Sequence, residues 1–417
     1  MPEGVARELE KIEAAFLWGS NDLKRKVHLV KWGEVSKSLD QGGLGIRRLR
    51  DVNACLLLKW WWKFGTQVNS LWRRAICSKY NIDESNWHPP LKSSYKHSRV
   101  WKDILAIGIH NTNIYNLYID NCQIQVGDGS RIKFWHDIWC GSSSLKSTFP
   151  LLFNLSTDQE GSLQQFMARK SNPNNWNFPI RRVLFTWEVE EEANLLCLLS
   201  SAPPLTIGRA DHLIWALSSA TPGVSSVASL YSATNSILGP HFKICKHIWN
   251  GAIPPKVSFF SWLAWKNKIK TAVFMHRIGI LDASASFNCP FCCSVPESAV
   301  HILLHCPFSW LIWSSIINEW GLSWCIHGSV GDLLQWWMAV KFKNFHRLIW
   351  RAIPLIVLWS LWKLRNECVF AEAHPNFSVM SENIKIRAAL WLKASIKNLP
   401  YSVNDLTFNW GQIRGCS

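Results

Sequence analysis

What this chain of 417 residues lacks narrows the field first. Its longest apolar run, Ala352 to Trp362, lies between Arg351 and Lys363 and is interrupted by Pro354 and Ser360. A membrane-crossing helix needs roughly 20 apolar residues, so no membrane role is expected. Residues 1–15 carry Glu3, Arg7, Glu8, Glu10, Lys11 and Glu13, which leaves no room for the apolar core of a secretory signal. Gly42-Gly43-Leu44-Gly45 has neither the Lys-Ser/Thr nor the preceding apolar strand of a phosphate loop, and reads as a turn. His28, His97, His136 and the cysteines show no spacing that pairs a nucleophile with a base. No repeat of fixed period and no low-complexity tract is visible.

Acid is also in short supply. Against 45 Lys and Arg stand 29 Asp and Glu, a net charge of +16, which favours an anionic partner, nucleic acid first. The excess is local: residues 21–80 carry +9 and residues 241–280 carry +7, the latter with no acid at all. What is abundant is apolar and aromatic. Hydrophobic residues make up 48% of the chain, enough for real cores, and length predicts two or three domains. Tryptophan reaches 27, far more than an ordinary domain needs. Thirteen cysteines without a secretory start imply a reducing, intracellular setting, where clustered cysteines are metal ligands before they are disulfides.

Pattern predicts an α+β chain, predominantly helical, with small β-hairpins and a small zinc-stabilised module. Glu8 to Trp18 is helical and stops at Gly19; Asp51 is a candidate N-cap for a helix through Phe64 that is apolar almost all round. Gln123 to Val126 and Arg131 to Trp135 flank Gly127-Asp128-Gly129 and read as a hairpin. A weaker strand pair is Leu213 to Trp215 with Val224 to Val227. Lys256 to Lys268 is an aromatic helix, and the chain from Trp310 to about Lys397 is helical with breaks at Gly321, Gly328 and Pro375. Four segments follow: 1–90, basic and helical; 91–240, mixed; 241–320, containing the cysteine cluster; and 321–417, helical.

The cluster is the sharpest signal. Cys289-Pro290-Phe291-Cys292-Cys293 precedes His301 and then His305-Cys306-Pro307, spaced C-x2-C-x8-H-x4-C. Such thiolate and imidazole donors suit tetrahedral zinc, at about 2.3 Å to sulfur and about 2.1 Å to nitrogen. A C-x2-C step lets one tight turn aim both sulfurs at one ion. The fourth ligand is open at this stage. His305 shares a helix face with His301; Cys306 precedes a proline, which disfavours helical geometry and lets its sulfur swing back. Cys293 is an alternative to Cys292. The preferred set is Cys289, Cys292, His301 and Cys306, with His305 in reserve; four protein ligands leave no open position, so the zinc is expected to be structural.

Taken together, Phe16-Leu17-Trp18-Gly19, His28 to Trp32, Gly42 to Ile46, Asn53-Ala54 with Leu56 to Trp60, and Gly127-Asp128-Gly129 leading to Phe134 through Trp139 resemble the region after the polymerase domain of plant non-LTR retrotransposons. Ile248-Trp249 through Pro254-Pro255-Lys256-Val257 and Phe259 to Trp262, running into the cysteines, is similar to the zinc-binding domain of plant reverse-transcriptase-like proteins. Trp359 to Trp362 with Arg365, Asn366 and Phe370 resembles the helix that follows it. The likeness covers most of the chain and is weakest between about 140 and 205. It implies a polymerase with an Asp-Asp turn for two metal ions. Here all thirteen aspartates are isolated, and the tail after Ser378 holds only Glu382 and Asp405 as acids. The resemblance therefore implies a non-catalytic C-terminal portion that joins just after a polymerase domain and lacks an RNase H domain.

Its expected partners are RNA or DNA, gripped without sequence preference and with salt sensitivity, and a polymerase domain in cis or trans. Candidate contacts are Lys24, Arg25, Lys26, Arg47, Arg48 and Arg50 in the first basic segment, and Lys256, Lys266, Lys268 and Lys270 in the second. Exposed tryptophans would add base stacking. Nuclear residence would follow, although Lys24-Arg25-Lys26 is the sole basic run that suggests import. The competing expectation is a zinc-stapled protein-interaction module, or a decayed element remnant without activity.

Overall fold

The computed structural model describes residues 1–19, 27–91, 97–170, 176–206, 208–217, 223–236, 239–282, 284, 286–396 and 399–408. Two compact units emerge, one of residues 1–10 and 47–238, the other of 11–46 and 239–417. The sequence segment 1–90 is thus shared between the units, 91–238 falls in the first, and 239–417 in the second. Both are mainly helical, with a single two-stranded antiparallel sheet among the described residues, in keeping with a predominantly helical α+β chain. Helix α1 (Glu3–Leu17) is followed by Gly19 at φ 73°, the left-handed geometry that halts a helix.

The first unit contains α2 (Leu49–Thr66), α3 (Leu71–Tyr80), α4 (Arg99–His110), α5 (Thr112–Asp120), β1 (Cys122–Gln125), α6 (Val189–Ser200), β2 (His212–Trp215) and α7 (Val227–Ser236). Helix α2 is apolar on most sides because α4, α5, α7 and β2 all pack on it. Cys55, Leu58, Trp61 and Phe64 are buried, while Leu56 and Trp60 stay exposed. It begins two residues before Asp51, with Arg48 as N-cap; Asp51 sits in the first turn, where its charge still meets the positive end of the helix.

The expected hairpin is replaced by a longer-range pairing. Strand β1 pairs with β2 in register Cys122–Trp215 to Gln125–His212, residues 87 to 93 positions apart in sequence, and residues 131–135 form no strand. Leu213 to Trp215 is a strand as expected, but its partner is β1, not residues 224–227. The Gly127-Asp128-Gly129 turn folds around the buried Asp211 carboxylate instead. That group accepts from the backbone N–H of Gly127 (2.7 Å), Gly129 (2.9 Å) and Arg131 (3.0 Å).

The second unit is built on α13 (Asn344–Phe370), around which lie α8 (Lys243–Ile248), α9 (Pro255–Trp265), α10 (Ala272–Arg277), α11 (Pro307–Glu319), α12 (Val330–Ala339), α14 (Phe377–Ser395) and α15 (Val403–Phe408). The long apolar run is the axis of this core: Ala352, Ile353, Leu355, Ile356, Val357, Leu358 and Leu361 are all fully buried. No described helix is long and apolar enough to cross a membrane. The tryptophans are mostly core. Trp337 and Trp350 stack at 4.0 Å, and each indole N–H donates to the other's backbone carbonyl, at 2.7 and 3.0 Å. The glycine turn seats Gly43 where an added Cβ would lie 2.0 Å from the Lys37 carbonyl, and the Gly42 carbonyl accepts from the Trp262 indole at 2.9 Å.

Replacing Asp211 with alanine strips three backbone donors of one shared acceptor. It should cost about 3 kcal/mol of unfolding free energy, measured by urea denaturation. A self-contained hairpin at residues 123–135 would lose less than about 0.5 kcal/mol, as expected for a substitution remote from it.

Candidate metal centre

Residues 287–297 form a tight knuckle. Cys289 N–H donates to Val295 O at 2.7 Å, Glu297 N–H to Phe287 O at 2.7 Å, and Cys293 N–H to Cys289 O at 2.8 Å. The turn ends with Cys293 at φ 58°, exposed, so Cys292 and not Cys293 shares the interior with Cys289. The opposite wall is His301–His305, a single widened helical turn in which Cys306 N–H reaches back five residues to His301 O at 2.7 Å. Such π-type turns are rare and concentrate at functional sites. Cys306 then caps α11, with Pro307 as its first residue; proline is suited to that position because the missing N–H would have no helical partner.

Four donors converge. One ligand atom each from Cys289, Cys292, His301 and Cys306 lies within 4.8 Å of every other. Cys289 Sγ and Cys306 Sγ are 3.8 Å apart, and Cys292 Sγ and His301 Nε2 are 3.4 Å apart. Bond lengths for zinc give a tetrahedron with S–S edges of about 3.8 Å and S–N edges of about 3.6 Å. These two separations lie close to those edges and all four donors fall within 4.8 Å of one another, so the donor set can hold one zinc ion. His305 is not part of it: the wide turn carries its ring out to the surface, where Nε2 lies 2.8 Å from the His327 carbonyl.

The electrostatics suit a cation. Cys289 and Cys306 are fully buried, with their sulfurs in contact. The Cys289 thiol donating to the Cys306 sulfur pushes the Cys289 pKa up and draws the Cys306 pKa down. Backbone N–H groups of Phe291 and Cys292 point at the Cys289 sulfur, and those of Phe308 and Ser309, at the N-terminus of α11, point at the Cys306 sulfur. These donors favour thiolates, and a bound cation takes the place of the shared proton. Burial holds His301 below the ordinary imidazole value, in the neutral form that ligates metal.

The site is braced from outside. Glu297, at the end of the knuckle and 1% exposed, receives two bonds from Arg365 of α13, at 2.6 and 2.8 Å, and a third from Ala272 N–H at 3.0 Å. On the other side, the Ile302 carbonyl accepts from Ser309 Oγ at 2.6 Å and the Leu303 carbonyl from Trp313 Nε1 at 2.8 Å. Sequence reasoning missed Glu297 and Ser309, whose partners are set by packing and carry no local motif.

The basic candidates are spread over both units. Lys24, Arg25 and Lys26 lie outside the described residues. In the first unit, Arg47 is exposed over the Tyr231 ring, Arg48 lies 3.9 Å from Asp51, and Arg50 pairs with Glu3 at 3.3 Å. In the second, Lys256 is exposed over Trp359, Lys266 lies 3.7 Å from Glu34, Lys268 is half-buried and Lys270 exposed.

A closed Cys3His centre set in a helical scaffold defines a zinc-stabilised protein. Residues 226–313 match the family described as zinc-binding in reverse transcriptase, so the chain carries a reverse-transcriptase zinc-binding domain as part of a retroelement-derived region. It is 27% identical over 381 residues to an Arabidopsis thaliana protein named "Putative ribonuclease H protein", a match covering 89% of this chain but 57% of that relative. It is also 29% identical over 136 residues to an "Uncharacterized mitochondrial protein" of the same plant, covering 32% of this chain and 82% of the relative.

Purified protein should hold one zinc per chain by elemental analysis. Cys289→Ser and Cys306→Ser should lose it, whereas Cys293→Ser and His305→Ala should keep it. Glu297→Ala, which leaves the buried Arg365 unpaired, should cost about 3–5 kcal/mol of stability in a denaturation curve while retaining zinc in the folded fraction.

Proposed function

We propose that this chain is a non-catalytic, nucleic-acid-binding accessory region, a zinc-braced scaffold that holds template RNA or target DNA for a polymerase domain in cis or trans. The carrying observation is the acid-free segment 241–280 beside the metal centre, which keeps Lys256 and Lys270 at the surface. Lysines without carboxylate neighbours attract phosphate irrespective of base sequence, by releasing counterions. The zinc itself is no phosphate ligand in this reading: its four positions are filled by protein, and three thiolates leave the centre anionic. The likeness to a longer relative named for ribonuclease H supports an origin in a nucleic-acid-processing protein, of which this chain corresponds to 57%.

Thiolate ligands call for a reducing compartment, and a chromosomal target would bring the chain into the nucleus. A second reading, a protein-interaction module, rests on Trp310 and Leu311 of α11, both exposed.

A salt titration separates the two. Affinity for a generic single-stranded RNA should fall linearly on log–log axes, with a slope of about −2 to −4 for three to six neutralised phosphates. No binding at low salt contradicts the accessory role.

A further inference from the structure

The two basic segments, far apart in sequence, meet in the second unit. A cleft of about 650 Å³ is lined by Lys31, Trp32 and Glu34 from the first segment and by Lys266, Lys268 and Arg277 from the second. Its single lining carboxylate is already compensated: Glu34 lies 2.5 Å from Lys37 and 3.7 Å from Lys266, and the Lys37 ammonium holds it below the usual carboxylate range. Among the described residues no carboxylate pairs with Lys31, Lys268 or Arg277. A second feature is independent of charge. The Trp32 indole N–H is one of several buried side-chain polar atoms without a hydrogen-bond partner among the described residues, and its residue lines this cleft.

We propose that this cleft is a binding site for the sugar–phosphate chain of a single-stranded nucleic acid, with Lys31, Lys268 and Arg277 on the phosphates and the Trp32 N–H donating to a ligand oxygen. The volume falls within the range of small-molecule sites, roughly 300–1,000 Å³, and takes a nucleotide or two. A duplex, with its two strands held together, is too bulky to enter a space of this volume. Aromatic walls interleaved with cations are the usual composition of single-strand grooves. Neither Lys31 nor Arg277 stands out in the sequence, because each is one basic residue in an ordinary context. Only the fold puts them beside Lys266 and Lys268.

This site rests on the accessory-region reading, and the test keeps the two apart. Full-length protein is titrated with a fluorescent single-stranded RNA and with the matching duplex over a salt series. The variants are Lys268→Ala with Arg277→Ala, Trp32→Phe, and Arg99→Ala with Lys102→Ala, both exposed on α4 of the first unit, as a control outside the cleft. Zinc content and circular dichroism verify folding.

The cleft double variant should lower the single-strand salt slope by about 1.4, two contacts at about 0.7 each. Trp32→Phe, which keeps the ring and loses the donor, should weaken single-strand binding roughly 2- to 10-fold and leave duplex binding unchanged. In wild-type protein, 4-thiouridine in the strand should crosslink to peptides spanning residues 27–34 or 266–278, a readout that needs no variant. Wild-type binding with an unchanged slope in the cleft variant, or crosslinks elsewhere only, overturns the cleft and leaves the accessory role standing. Failure of wild-type protein to bind any strand at low salt overturns both.

Discussion

Between His301 and Cys306 the backbone makes one turn that is too wide for an α-helix, and much of the second unit follows from it. An ordinary helix would put His301 and His305 on one face and carry Cys306 past the knuckle. The widened turn aims His301 inward, sends His305 to the surface, and ends at a proline-led helix whose first N–H groups face the Cys306 sulfur. The four donors thereby gather within 4.8 Å of one another, and two pairs, Cys289 with Cys306 and Cys292 with His301, come close to the edge lengths of a zinc tetrahedron. A buried thiolate cluster without a cation is expensive. Zinc in small finger peptides contributes an apparent 10–16 kcal/mol, about as much as a whole domain's net stability, so local order and metal binding are one equilibrium here.

The remainder of the unit transmits that anchoring. Glu297 and Arg365 form a bidentate ion pair between the knuckle and the long helix α13. A buried pair of this kind adds little net stability compared with apolar packing, but it penalises any arrangement that separates its members. Tryptophan recurs in both cores because an indole covers a large area and brings one donor that a nearby carbonyl can satisfy. Trp61, Trp139, Trp262, Trp313, Trp337 and Trp350 all donate to backbone carbonyls within 3.0 Å. The high indole content is thus chiefly structural; among the described residues Trp60, Trp187 and Trp310 are the ones with large exposure.

What could be read in advance depended on the range of the interaction. The cysteine spacing was legible because its donors fall within eighteen residues, where turn geometry dominates. Helix positions in the second unit were legible from apolar periodicity and from glycine and proline breaks. The Gly127-Asp128-Gly129 segment misled because a hairpin rule sees only neighbours, whereas its true partner, Asp211, lies 82 residues from Gly129. Pro307 already favoured Cys306 over His305 in the sequence; the widened turn that carries His305 to the surface is what no propensity predicts. Lys31 and Arg277 gained meaning only once α10 and the segment around Trp32 were packed against the same cleft.

The central claim is that three sulfurs and one imidazole close around a single zinc and leave no place for solvent. Zinc K-edge absorption on the purified full-length chain reads that shell directly. The account predicts three sulfur neighbours at about 2.3 Å and one nitrogen at about 2.1 Å. A shell of two sulfurs and two nitrogens, or any oxygen neighbour from water, would contradict it.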